Sequence, residues 1–226
     1  MPDGALKLTI SSRSASVQVV AASGAEVSVH GGSVVENPDG SLDIVADRSG
    51  TSRIVVRCPA GTDVVVGTAT GQVETSGPLG SVRVVTGSGR VAVRQAASVE
   101  VRSASGRVHV TSCHGGCKVI TRSGRVEVGR AGSVDVAVVS GKVRIDSAGA
   151  AAVHSVSGSV KVAGEEGARI RVRTMTGSVD VTLPPGAEPA LSLHSTGGRV
   201  RRRLADGADG EVDVQTATGS IDVSER

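Results

Sequence analysis

The sequence contains no phenylalanine, tyrosine or tryptophan in its 226 residues. Aromatic side chains normally supply much of the buried area of a globular core. Without them, the core has to be narrow enough for Val, Ile, Leu and Ala to fill it. The absence also removes the platforms on which the bases of single-stranded nucleic acids stack, which argues against nucleic-acid binding.

Cysteine is scarce, and its odd count of three argues against a disulfide framework and for a reducing compartment. Cys58 and Cys117 continue runs of alternating apolar residues, so we expect them to act as small core side chains. The segment Cys113-His114-Gly115-Gly116-Cys117 also allows a metal site, but it lacks the second half of a zinc motif. We therefore favour structural roles for these residues and predict no cofactor.

Charge and hydropathy argue against three further classes of protein: nucleic-acid-binding, membrane-spanning and secreted proteins. The net charge of +3 is too small to indicate nucleic-acid binding by itself. No stretch approaches the roughly 18 apolar residues that a membrane-spanning helix needs. The start, Met1-Pro2-Asp3-Gly4, lacks the basic and then apolar layout of a secretory signal. The sequence-based expectation is a cytoplasmic protein.

Glycine, by contrast, is abundant, with 31 residues, and it marks an internal repeat. A Ser/Thr-Gly pair followed by alternating apolar residues recurs, and from Gly71 to Gly177 the glycines are 17 to 19 residues apart. We expect each glycine to hold a turn position with positive φ. The pairs are Thr70-Gly71, Ser88-Gly89, Ser105-Gly106, Ser123-Gly124, Ser140-Gly141, Ser157-Gly158, Thr176-Gly177 and Thr218-Gly219.

Each period contains two strand signals, one after the glycine, such as Val91/Val93, and one midway, such as Val99/Val101. Apolar residues two apart are typical of a strand with one buried face. An antiparallel meander would not explain why Ser-Gly and Arg recur only at the full period. Stacked parallel coils explain it, because equivalent residues then lie above one another.

The sequence thus predicts an all-β fold, a parallel β-helix or β-solenoid of 17–18-residue coils that forms one domain over residues 1–226. Residues 56–226 form the repeat region. Residues 1–55 have strand patterns at uneven spacing and a turn at Asn37-Pro38-Asp39-Gly40, which predicts an irregular antiparallel N-terminal cap. Two facing sheets about 10 Å apart can be filled by Val and Leu.

The segment from Arg53 to Val93 resembles the bacterial β-strand-repeat family called toastrack, whose members are named as putative adhesins. The resemblance covers roughly residues 50–226. It rests on Cys58-Pro59-Ala60-Gly61, the glycine series, Val181-Thr182-Leu183-Pro184-Pro185 and Thr218-Gly219-Ser220-Ile221-Asp222-Val223. It implies a right-handed parallel β-helix-like repeat and no catalytic residue.

Basic residues follow several of the turn glycines. In a solenoid, Arg90, Arg107, Arg125 and Lys142 would form a ladder with a spacing of about 4.8 Å. Such a ladder could bind an anionic polymer or an acidic partner surface. The alternative is a solvated turn neutralised by neighbours such as Glu127. A second basic cluster, Arg199 with Arg201 to Arg203, leaves Val200 to point inward.

No Ser–His–Asp arrangement or paired carboxylates can be assigned, so an enzyme is not expected. The predicted function is a non-enzymatic scaffold or protein-interaction module. Its macromolecular partner is unknown from the sequence, and a protein is the favoured class. The alternative is a self-assembling, bactofilin-like structural protein. Ile221-Asp222-Val223 lies close to the chain end, and an uncovered last coil could pair with another copy.

Overall fold

The computed structural model describes residues 6–46, 53–205 and 207–226. Within these ranges the protein is all-β, with twelve strands and no helix, so none of the described segments is a helix able to cross a bilayer. The all-β prediction is confirmed. Contacts divide the chain into two compact units, Met1–His114 and Gly115–Arg226. A single domain over the whole chain stays a prediction.

The strands follow the predicted apolar alternation. The first seven are β1 (Lys7–Ser12), β2 (Ser16–Ala22), β3 (Ser28–His30), β4 (Gly32–Glu36), β5 (Leu42–Ala46), β6 (Arg53–Pro59) and β7 (Asp63–Ser76). A long run of β backbone, β8 (Leu79–Leu183), extends into the second unit. The last four are β9 (Ala190–Ser195), β10 (Val200–Arg202), β11 (Glu211–Thr218) and β12 (Ile221–Glu225).

In the first unit, parallel pairing predominates. β1 lies between β5 and β7, and β2 lies between β6 and β7, with all four pairings parallel. The sequence predicts antiparallel pairing for the whole of residues 1–55. In the described part of this range, it is found for β3 on β6 and β4 on β5 alone. The prediction of antiparallel pairing is wrong for β1 and β2. Their alternating apolar residues pair in parallel with those of β5, β6 and β7 instead. Residues 1–5 and 47–52 of the predicted cap lie outside the described residues.

In the second unit, the C-terminal strands are inserted between earlier ones. β11 pairs in parallel with β8 on one edge and β9 on the other, and β12 pairs with β8 and β10. The expectation of an uncovered last coil at Ile221–Val223 is therefore wrong. Val179 and Val200 flank Ile221 on its two sides, so the backbone groups of this segment are already paired.

The strand β8 turns back on itself. A straight strand of 105 residues would extend about 350 Å. Instead, an added Cβ on Gly106 would lie 2.0 Å from the carbonyl oxygen of Gly89, and one on Gly141 would lie 2.0 Å from that of Gly124. The predicted positive φ is confirmed at these glycines, whose values range from 136° to 147°.

The core consists of the predicted aliphatic side chains. The valines two positions after the turn glycines, such as Val91, Val108 and Val143, are at most 2% exposed. The midway pairs, such as Val99 and Val101, are buried to the same extent. Cys58 and Cys117 are buried as predicted. Burying one such valine stabilises the fold by about 1.5–3 kcal/mol, so many small contributions replace the aromatic core.

Candidate functional site

The predicted basic ladder begins at the turn glycines. The glycines Gly89 and Gly106 lie in contact in the first unit, and Gly124 and Gly141 do so in the second. Because a side chain would collide with the neighbouring carbonyl, only glycine permits this approach. The cation that follows each glycine is consequently placed on an adjacent strand of the same unit.

All four predicted ladder residues are exposed. Arg90 and Arg107 lie in the first unit, and Arg125 and Lys142 lie in the second. Since the preceding glycines are in contact, the structure gives two neighbouring pairs, one in each unit. One continuous ladder of four stays a prediction.

Acidic side chains neutralise part of this surface. Arg125 Nη1 lies 3.7 Å from Glu127 Oε1, as the alternative interpretation expected. Nearby, Arg144 Nε donates to Asp146 Oδ1 at 2.7 Å, and this hydrogen bond raises the pKa of Arg144. Within the described part of the chain, no ion pair involves Arg90, Arg107 or Lys142. Of the four predicted ladder residues, Arg125 is thus the one with an ion pair among the described residues.

The segment Cys113–Cys117, which the sequence allowed as a metal site, has the burial and hydrogen bonding of structural residues. Cys113 and Cys117 are buried, whereas His114 is exposed. The thiol of Cys113 donates to the carbonyl oxygen of Ala97 at 3.5 Å. In the described ranges, no cluster of three or more His, Cys, Asp or Glu side chains has a geometry able to hold a metal ion. Among the three cysteines, burial raises the pKa of Cys58, which makes its thiol less reactive.

The second basic cluster marks a sheet edge. Within the described residues, β10 pairs with β12 alone, so its other side is an edge. Arg199, Arg201 and Arg203 are exposed there, and Arg202 Nε donates to the carbonyl oxygen of Leu204 at 3.0 Å. Val200 is 40% exposed, so the prediction that it points inward is wrong, because none of the described strands pairs with β10 on its other side. Charged residues on an edge strand disfavour pairing with another chain.

A surface that the sequence analysis missed lies on the outer face of the second unit. It consists of two pockets that lie end to end along residues 133–139 and 150–156, and we call the two together the trough. Its arginine part has a volume of 640 Å³ and includes Lys118, Asp135, Ala150, Ala152, Arg169 and Arg171. Its apolar part has a volume of 590 Å³ and includes Ile120, Ala137, Val139, Val156, Arg173 and Met175.

Local sequence forms the floor of this trough. Lys118, Ala152 and Arg171 occupy the same position of their repeats, six residues before the glycine. Lys118 and Arg171 lie on the two outer strands of the trough, whereas the short side chain of Ala152 lies on one of the two strands between them. The signal was present as a run of small outward residues, Ala150 and Ala152 beside Ser133 and Ala137. Only the lateral order of the strands shows that these residues lie together between taller side chains.

The apolar part contains one unpaired buried hydroxyl. In most repeats, the hydroxyl three residues before the glycine donates to a carbonyl oxygen two residues later, as Thr121 does to Ser123 at 3.1 Å. Thr216 occupies the equivalent position before Gly219 and lines the apolar part. Its buried Oγ1 has no hydrogen-bond partner among the described residues.

Comparison with known proteins gives the family. The crystal structure of a putative adhesin from Parabacteroides distasonis ATCC 8503 has a TM-score of 0.40 and 11% identity, covering 98% of this chain and 93% of that one. A putative cell adhesion protein from Clostridium sporogenes ATCC 15579 has a TM-score of 0.29 and 10% identity, covering 100% and 95%. Among curated proteins, no sequence matches. The family model described as Toastrack DUF4097 matches residues 3–226, and the chain therefore belongs to this family, as the sequence resemblance predicted.

Proposed function

We propose that the protein is a non-enzymatic scaffold or protein-interaction module built on a parallel β-helix of 17–18-residue coils. One observation carries the proposal: equivalent residues of successive repeats pair side by side. Gly71 pairs with Gly89 and Gln72 with Arg90, at a separation of one repeat. Such a stack presents outward side chains in columns, which is how repeat proteins form extended binding surfaces.

The proposed binding residues are Arg90, Arg107, Arg125 and Lys142, and the proposed partner is a protein with an acidic surface. Their exposure and the contacts of the preceding glycines support this role. Guanidinium groups also bind carboxylates in a bidentate manner. Because the cations are exposed, binding should speed association and weaken as salt is added.

The test uses poly-L-glutamate as a defined acidic probe. We expect the wild-type protein to bind it and Arg107→Glu with Arg125→Glu to weaken binding about tenfold or more, since each substitution replaces attraction with repulsion. A matched control, Arg57→Glu with Arg130→Glu, makes the same charge change at exposed sites outside the ladder. If both double variants lose binding equally, net charge alone is responsible and the ladder has no specific role.

The bactofilin-like alternative is less well supported. Its basis was an uncovered C-terminal coil, but β11 and β12 are paired on both edges. Polymerisation through the ends stays a prediction, and light scattering across a concentration series would detect the open-ended size distribution that it requires. Location in the cytoplasm also stays a prediction, which cell fractionation would check.

A further inference from the structure

We propose that the trough of the second unit binds an extended peptide segment of a partner protein, with carboxylates in one half and aliphatic side chains in the other. This inference rests on the proposed function, because it names a class of partner for an interaction module. It concerns a surface separate from the ladder residues, so the two proposals can fail independently.

The width of the trough fits one extended chain. Its four strands are neighbours. Lys118 Nζ lies 3.8 Å from Asp135 Oδ2, the hydroxyl of Ser157 donates to the carbonyl oxygen of Val139 at 3.4 Å, and that of Thr176 donates to the carbonyl oxygen of Val156 at 3.3 Å. Between the strands of Lys118 and Arg171 there are three inter-strand spacings, or about 14 Å. An extended chain with its side chains needs about 10 Å, the distance at which two sheets pack.

One wall of the trough carries a row of arginines. Arg169, Arg171 and Arg173 occupy alternate, outward positions of one strand, so they lie about 7 Å apart. Alternate side chains of an extended peptide have the same spacing. Arg171 lies 3.8 Å from Glu211, which also lines the trough, and 3.5 Å from Asp213. Arg169 and Arg173 have no ion pair within the described part of the chain, and they can bind carboxylates of an occupant.

The other half of the trough is apolar. Val139, Val156 and Met175 are 49%, 44% and 60% exposed, and each lies two residues before its turn glycine. The repeat thus brings three aliphatic side chains into one exposed group, with Ile120 beside them at 37% exposure. Exposed apolar groups of this kind mark binding surfaces when they line a groove.

The combination selects a peptide over other anionic polymers. A nucleic acid or an acidic polysaccharide would meet the arginines, but it has no aliphatic side chains for Val156 and Met175. Neither would find a stacking partner, because the chain contains no aromatic residue. An extended peptide supplies both kinds of group on alternate residues.

The test is fluorescence anisotropy with a labelled decapeptide. Its alternate residues are Glu in one half and Val or Leu in the other, with Ser between them. We expect the wild-type protein to bind the peptide saturably. The double variant Arg169→Ser with Arg173→Ser should bind it about tenfold more weakly. Val156→Ser with Met175→Ser should weaken it to a similar degree, and this loss should persist at high salt. Arg130→Ser, which removes an exposed cation outside the trough, should leave binding unchanged.

All these substitutions lie at exposed positions, and unchanged melting curves would show that the variants fold. Absence of peptide binding by the wild-type protein would overturn the inference, as would equal losses in Arg130→Ser and the trough variants. Competition by oligothymidylate of the same length, at the same affinity, would identify a general polyanion site instead. Poly-L-glutamate binding that depends on the ladder, without peptide binding in the trough, would leave the proposed function standing and refute this inference alone.

Discussion

The carbonyl oxygen of Gly71 lies so close to Gly89 that a Cβ atom built on Gly89 would be 1.9 Å from it. The two residues are paired in neighbouring parallel strands, and Gly89 has a φ of 136°. The repeated glycine is therefore required twice, once for its backbone conformation and once for the absence of a side chain. This contact is the structural reason for the most regular feature of the sequence.

Substitution of one of these closely paired glycines should strongly destabilise the fold. Gly106→Ala places a Cβ 2.0 Å from the carbonyl oxygen of Gly89 at a φ of 138°. We expect a loss of about 3 kcal/mol or more in the free energy of unfolding, because strain and steric overlap add. Urea denaturation of the wild-type protein and the variant measures this difference in the free energy of unfolding.

Gly67→Ala is the matched control for Gly106→Ala. Its Cβ would lie 4.0 Å from the nearest atom, the carbonyl oxygen of Ile10, and its φ is not positive. We expect a change within about 0.5 kcal/mol. Equal effects of the two substitutions would contradict the stacking of the glycines.

The two threonines that precede their glycines by three residues should respond differently to valine. Thr121→Val removes a buried hydroxyl that donates to the carbonyl oxygen of Ser123, which should cost about 1 kcal/mol. Thr216→Val removes a buried hydroxyl that has no partner in the described part of the chain. It should be neutral or stabilise the protein by up to about 1 kcal/mol. Val138 already occupies the equivalent position before Gly141.

Thermal unfolding of Thr121→Val and Thr216→Val, compared under one buffer, checks this prediction. A destabilisation by Thr216→Val as large as that by Thr121→Val would show that the hydroxyl of Thr216 is paired in solution.

Removal of residues 211–226, which form β11 and β12, should also destabilise the preceding strands β9 and β10. β11 is the parallel partner of β9, and β12 is the partner of β10. Without them, β9 and β10 lose the strands that connect them to β8, so their amides should exchange rapidly with solvent. Hydrogen exchange measured by mass spectrometry reports this directly. Retained protection in β9 and β10 would contradict the inserted position of the C-terminal strands.

Glu100 should titrate below the ordinary range of a glutamate. Partial desolvation raises its pKa, but the charges and hydrogen bonds of Arg83 and Arg102 outweigh this effect and lower the pKa. The carboxylate oxygens lie 2.9 Å from Arg83 and 3.0 Å from Arg102. The contribution to stability is thus fully present above the unfolded pKa of about 4.3 and is lost as the pH falls through the folded pKa.

NMR titration of the Glu100 carboxyl carbon measures this effect. Arg83→Gln should move its pKa upward, and added salt should do the same, because the pair is exposed. Arg94→Gln is the control, since Arg94 pairs with Glu74 instead. An unchanged pKa in Arg83→Gln would show that the ion pair does not form in solution.

Much of the local structure could be predicted because it depends on short-range chemistry. Alternating valines such as Val108 and Val110 bury one face, and Ser-Gly pairs mark the turns with positive φ. The insertion of β12 between β8 and β10 could not be predicted, because the alternation of Ile221 and Val223 is the same as that of every other strand that follows a repeat glycine. The same ambiguity misplaced the uncovered edge: among the residues that the structure describes, β10 pairs with β12 alone and β9 with β11 alone. The trough was missed since alternation identifies outward residues but does not show which neighbours surround them.

The sequence by itself determined the period, the inward and outward faces and the aliphatic composition of the core. Each of these depends on contacts between a residue and its chain neighbours or its copies one repeat away. The tertiary structure alone decided the order in which the first strands pair in one unit and the last strands pair in the other. It also decided which small and charged side chains meet in the trough, because parallel strands of similar sequence can pair in several orders at similar local energy.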